Sequence, residues 1–92
     1  MIQFDGGLPA ASVDAPQSAE EMFLLGMLYS SGREIPADLV TAHKWFNLAA
    51  AGGHEEASWC RADVSDEMTA REIAEAQRRA REWLVAEARR AA

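Results

Sequence analysis

The stretch Met22-Phe23-Leu24-Leu25-Gly26-Met27-Leu28-Tyr29 holds eight consecutive uncharged residues with a glycine in its middle, and it constrains the fold more than any other part of the chain. Its borders read as helix ends. Ser18 and Glu21 stand at the capping-box spacing, in which hydroxyl and carboxylate satisfy orphan N–H groups of the first turn. Gly32 suits the left-handed residue that closes a helix. A helix without charge over this length is apolar nearly all round, which usually marks burial on more than one side. Gly26 costs about 1 kcal/mol relative to Ala inside a helix, a penalty best explained by a closely approaching neighbour. Trp45 and Phe46 are the obvious partners.

The rest of the chain repeats the helical signature. Alanine alone contributes 19 of the 92 residues, against 17 for Leu, Ile, Val and Phe together. Abundant Ala with few β-branched residues favours helix over sheet, which makes a barrel, a sandwich or a doubly wound nucleotide fold a poor reading. Few strong core formers and a net charge of −6 place the chain near the border of disorder, and three Trp, four Met and a Tyr draw it back toward a folded domain. Asp38 caps a second helix running to about Ala51, with Ala42, Trp45, Phe46 and Ala49 on one apolar face and His43, Lys44 and Asn47 elsewhere. Gly52-Gly53 break it. A short third helix follows from Glu55 to about Asp63, with Ala57, Cys60 and Val64 inward. Thr69 and Glu72 form a second capping box, flanked by Met68 and Ile73 at the staple positions, and open a last helix whose apolar stripe is Ile73, Ala76, Ala80, Trp83 and Leu84. The reading is one all-α domain over residues 18–92, four helices and no strand, preceded by an extended or flexible arm over residues 1–17. Short loops make consecutive helices antiparallel neighbours.

Several functions are disfavoured. A pI near 4.8 argues against nucleic acid, whose phosphates need a basic face. The arginines of the last helix alternate with Glu72, Glu75, Glu82 and Glu87 as on a solvated mixed-charge surface. Neither a signal peptide nor a membrane span is expected, and Cys60, the only cysteine, has no internal disulfide partner, so the cytoplasm is the default compartment. His54-Glu55-Glu56-Ala57-Ser58 opens like a zinc-protease helix but lacks the second His, so no metal and no cofactor are expected. Ser30, Ser31, Ser58 and Ser65 show no His and acid at catalytic spacing, and no catalytic residue is assigned.

Leu25-Gly26, Tyr29, Gly32, Pro36, Asp38, Ala42, Trp45-Phe46, Ala49-Ala50, Gly53 and Ala57 together resemble one Sel1-like repeat, the tetratricopeptide-related helix pair, over about residues 22–57. The sequence departs from that pattern at Glu21, Glu34 and Leu39. The segment from Ala57 to Trp83 resembles the terminal portion that follows such repeats in some bacterial proteins, which implies capping helices over about residues 55–92. The resemblance implies an antiparallel helix-pair, solenoid-like fold and a non-enzymatic role in protein–protein contact. In such solenoids the first helix of each pair tends to line the binding surface. By that resemblance the partner-binding residues are Glu20, Phe23, Met27 and Ser30, with the apolar pair anchoring another protein or peptide and the polar pair orienting it. Two other classes are a structural homodimer that buries the same surface and, more remotely, an enzyme or enzyme subunit. Light scattering across a concentration series separates the first from a monomeric adaptor, and a pocket of convergent polar groups would mark the second.

Overall fold

The computed structural model describes Pro16 and residues 18–91, and these contain four helices and no strand. They are α1 (Ala19–Ser31), α2 (Leu39–Ala51), α3 (Glu55–Ser65) and α4 (Ala70–Ala91). Of the arm expected over residues 1–17, Pro16 is buried; the remainder lies outside the described residues. No helix among the described residues is long and apolar enough to cross a membrane.

Side chains fix each helix start. Ser18 Oγ accepts from the Glu21 N–H at 3.1 Å, and Asp38 Oδ1 accepts from the Thr41 N–H at 3.1 Å. The second capping box is complete: Thr69 Oγ1 accepts from the Glu72 N–H at 3.1 Å while Glu72 Oε1 accepts from the Thr69 N–H at 2.8 Å. Such caps are each worth about 1 kcal/mol. Gly32 ends α1 at φ 70°, the left-handed conformation that a side chain disfavours. The following loop returns to α1, where the Asp38 N–H donates to the Tyr29 carbonyl at 2.9 Å.

That bond joins the end of α1 to the start of α2, and Ala19 at the start of α1 lies against Gly52 at the end of α2, so the two helices are antiparallel. Between them the Phe46 ring covers Gly26 so closely that a Cβ there would sit 2.5 Å from Phe46 Cδ1. The expected close approach is therefore present, and Phe46 makes it. Trp45 turns the other way and meets Trp83 of α4 edge to face, with ring centroids 5.7 Å apart.

α2 is the central helix. It packs against α1, α3 and α4, and its residues Ala42, His43, Trp45, Phe46, Leu48 and Ala49 are all buried. Two hydrophobic clusters flank it. One joins Phe23, Ala42, Phe46, Ala49, Ala57 and Val64; the other joins Leu25, Trp45, Leu48 and Ala80. α3 turns back along α2, and Arg61 donates to the Asn47 side-chain oxygen at 3.3 Å. α4 does not follow the expected pattern of pairing with its sequence neighbour. It lies on α2 and parallel to it, with Glu72 beside the start of α2 and Leu84 beside its end. Ala76 and Ala80 are buried as expected, whereas Leu84 is 52% exposed.

The covering of α2 on several sides also corrects the placing of His43, with Lys44 and Asn47, away from the packed face. The His43 side chain is 2% exposed and Nδ1 has no hydrogen-bond partner. Burial, reinforced by the nearby Arg61 charge, pushes its pKa below the ordinary histidine value. The neutral imidazole is the form this site accommodates.

Candidate functional site

Helix periodicity places Glu20, Leu24, Met27 and Ser31 along one stripe of α1, one turn apart at each step. All four are exposed. Leu24 is 54% exposed and Met27 42%, and with Leu28, Ser31, Arg33 and Glu34 they line a shallow depression at the end of α1. Two adjacent large apolar side chains left in water have no role in the core of this chain.

The four residues expected to bind a partner are thereby divided. Met27 lies on the exposed stripe, and Glu20 stands at its head. Ser30 is half-exposed and its Oγ donates to the Met27 carbonyl at 3.3 Å, which ties up its one proton within the helix. Phe23 is elsewhere: it is 8% exposed, tilted against Phe46 at 5.9 Å and stacked on the His54 ring at 4.2 Å with 17° between planes. It is a core residue, so it cannot serve as an exposed anchor. Leu24 takes the position that sequence reasoning gives to Phe23. The available signal is the i, i+4, i+7 spacing of Glu20, Leu24 and Met27, which is independent of any family pattern.

Glu20 belongs to a small polar assembly that closes the open end of the helix pair. His54 is the N-cap of α3: its Nδ1 accepts from the Ala57 N–H at 3.1 Å. Accepting at Nδ1 leaves the proton of the neutral ring on Nε2, which donates to Glu20 Oε1 at 2.8 Å. Phe23 supports the ring from one face. The start of α1 and the start of α3 are thus held together by one imidazole.

Reactive chemistry finds no assembled site among the described residues. The hydroxyls of Ser30, Ser31, Ser58 and Ser65 each donate to a backbone carbonyl three or four residues earlier in their own helix. No group of three or more His, Cys, Asp or Glu residues among those described is placed to hold a metal ion. Burial pushes the Cys60 thiol up, and Glu56 and Asp63 add to that, so the thiolate is disfavoured. Lys44 is lowered by burial and by the Arg79 charge, while its ammonium sits 4.1 Å above the Trp45 ring. The strongest electrostatic feature is on the exposed surface of α4, where hydrogen bonds from Arg78 and Arg79 hold the Glu75 carboxyl at about 2. It is a surface ion-pair network of the kind that decorates long helices.

The chain matches no family model, no curated protein and no solved structure.

Proposed function

We propose that this chain is a non-enzymatic protein–protein interaction module: one Sel1-like helix pair, α1 and α2, capped by α3 and α4, that presents the exposed stripe of α1 to another protein. The observation that carries the reading is the pair Leu24 and Met27, exposed side by side on a helix that buries Phe23, Leu25 and Gly26. Methionine and leucine on a rigid helix suit an adaptable apolar contact. Glu20, Arg33 and Glu34 supply a polar rim around it. The close Gly26–Phe46 approach, the fully buried Ala42, Ala49 and Ala57 and the parallel stacking of α4 on α2 support the repeat reading, because small residues are what let such helices stack. The lone cysteine fits a reducing compartment, and the cytoplasm remains our reading.

Photo-crosslinking in the native cell tests this. A photoreactive side chain at Leu24 is expected to give a discrete adduct with a partner, and the same probe at Ala51, an exposed position at the end of α2, is not. Met27→Glu in the first background should remove the adduct while far-UV circular dichroism stays unchanged. Equal labelling from both positions, or an adduct indifferent to Met27→Glu, would overturn the assignment. An adduct of twice the chain mass would identify the occupant as a second copy and replace the adaptor by the homodimer.

A further inference from the structure

The outward faces of α3 and α4 carry opposite chemistry. On α3, the line opposite the buried Ala57 and Val64 is centred on Trp59, whose side chain is 65% exposed. Around the indole stand Glu55, Glu56, Asp63 and Asp66, all exposed and none in an ion pair among the described residues. On α4, the line opposite the buried Ala76 and Ala80 holds Arg71, Arg78, Arg81, Val85 and Arg89, with Glu82 beside them. Val85 is 50% exposed at the centre of a shallow surface that includes Ala86 and the aliphatic stems of Arg81 and Arg89. Arg71, Arg81 and Arg89 have no ion-pair partner among the described residues.

These two faces match in register as well as in sign. Glu55 to Asp66 and Arg78 to Arg89 each cover eleven steps of helix, about 16 Å. Set Trp59 of one helix against Val85 of the other, antiparallel. Glu55 then falls opposite Arg89 and Asp63 opposite Arg81, both without an ion pair among the described residues, and Asp66 falls opposite Arg78, which also pairs with Glu75 and Glu82. The parallel alignment through the same apolar pair keeps only two such matches, Glu55 with Arg81 and Asp63 with Arg89. It also brings Glu56 against Glu82 and has no acidic residue of α3 opposite Arg78. Each face points away from the chain's own core, so the two cannot meet within one molecule.

We propose that the acidic, Trp59-centred face of α3 docks on the basic, Val85-centred face of α4 of a second copy of this chain. The contact is heterologous, joining unlike surfaces of identical chains. It uses an apolar centre with charged flanks, so its strength depends on salt, as attraction between exposed charges does. It does not involve Leu24 or Met27, and it is independent of the partner-binding reading of α1.

Light scattering and sedimentation of the full chain test it. At low salt the average mass is expected to rise with concentration, and to fall back toward the monomer in about 0.5 M salt, where screening acts within a few ångström. Asp63→Arg and Arg81→Asp, each at an exposed position, should separately weaken association about tenfold or more by setting like charges opposite each other. The double variant Asp63→Arg/Arg81→Asp should regain it, because the antiparallel register then pairs the exchanged charges. Leu24→Glu should leave the association unchanged. A wild type that stays monomeric at every concentration and salt overturns the proposal, as does association indifferent to both charge reversals. Failure of the double variant to recover overturns the antiparallel pairing.

Discussion

Replacing Gly26 by alanine sets two well-known effects against each other, and the structure decides which is larger. In an exposed helix the exchange would stabilise by about 1 kcal/mol through helix propensity. Here the new Cβ would stand 2.5 Å from Phe46 Cδ1, roughly 1 Å inside ordinary carbon–carbon contact. The ring has no space to yield. Phe46 is 1% exposed, Ala42 and Ala49 on its own helix are completely buried, and the Phe23 ring lies 5.9 Å away. Overpacking of this kind costs about 1–3 kcal/mol, and an overlap of about an ångström with a closed-in aromatic belongs at the upper end. The net expectation for Gly26→Ala is a loss of about 2 kcal/mol. In a domain of this size that lowers the melting temperature by about 8–16 °C. Urea unfolding followed by far-UV circular dichroism measures the loss as a lower midpoint at unchanged slope. Phe46→Leu should make the second substitution less harmful, so the double variant loses less than the sum of the singles. A Gly26→Ala chain as stable as wild type, or more stable, would refute the close α1–α2 approach.

Three further substitutions separate core from surface and test the buried histidine. Phe23→Ala should cost about 3–5 kcal/mol, the range for removing a buried aromatic, while Met27→Glu stays within about 0.5 kcal/mol of wild type, as exposed positions do; chemical denaturation of both variants checks this, and equal losses would contradict the placement of Phe23. His43 has its pKa lowered by burial, so the unfolded chain takes up its proton more readily than the folded one. Its contribution to stability is therefore complete above about pH 6.5 and declines as the pH falls from there through the lower folded value. His43→Leu should flatten that part of the pH–stability curve and, by removing the unpaired Nδ1, raise stability at neutral pH by roughly 1 kcal/mol. An unchanged slope in urea midpoints between about pH 7.5 and 5 would refute a neutral, desolvated His43.

What the sequence discloses follows from how local each signal is. The caps at Ser18, Asp38 and Thr69 involve residues three positions apart, and in each the side-chain oxygen accepts from the expected N–H. The inward positions Ala57, Val64, Ala76 and Ala80 stand out against polar neighbours, so their periodicity has a defined phase. In α1 the uncharged run has none of its own: with Phe23, Leu24, Leu25, Met27 and Leu28 all apolar, it announces burial without saying which side chains are left out, and the phase is set only from outside the run, by Glu20. That is why sequence reasoning puts Phe23 on the surface and does not single out Leu24. His54 is hard to foresee as a cap because imidazole is an uncommon acceptor at that position, and only the distance to the Ala57 N–H reveals it. His43 lies on the side of α2 where α3 turns back along it, near Arg61, and that return is a long-range choice that no short spacing records.

That choice also changes what a single helix pair requires. Stacked helix pairs ordinarily bury a continuous core only when several units adjoin, and a single pair would leave α2 uncovered on two sides. In this chain α3 and α4 cover those sides themselves, α4 lying parallel to α2 as the second helix of a following unit would. The core thus closes around α2 without help from another molecule. Leu24, Met27, Trp59, Leu84 and Val85 then stand outside both hydrophobic clusters, exposed and free of any duty in folding. A small domain has little apolar material to spare, and five large hydrophobic side chains left in water are an appreciable part of it. In the two contacts proposed above, Leu24 and Met27 on α1 would face a partner while Trp59 on α3 and Val85 on α4 would face neighbouring copies, so neither contact would block the other.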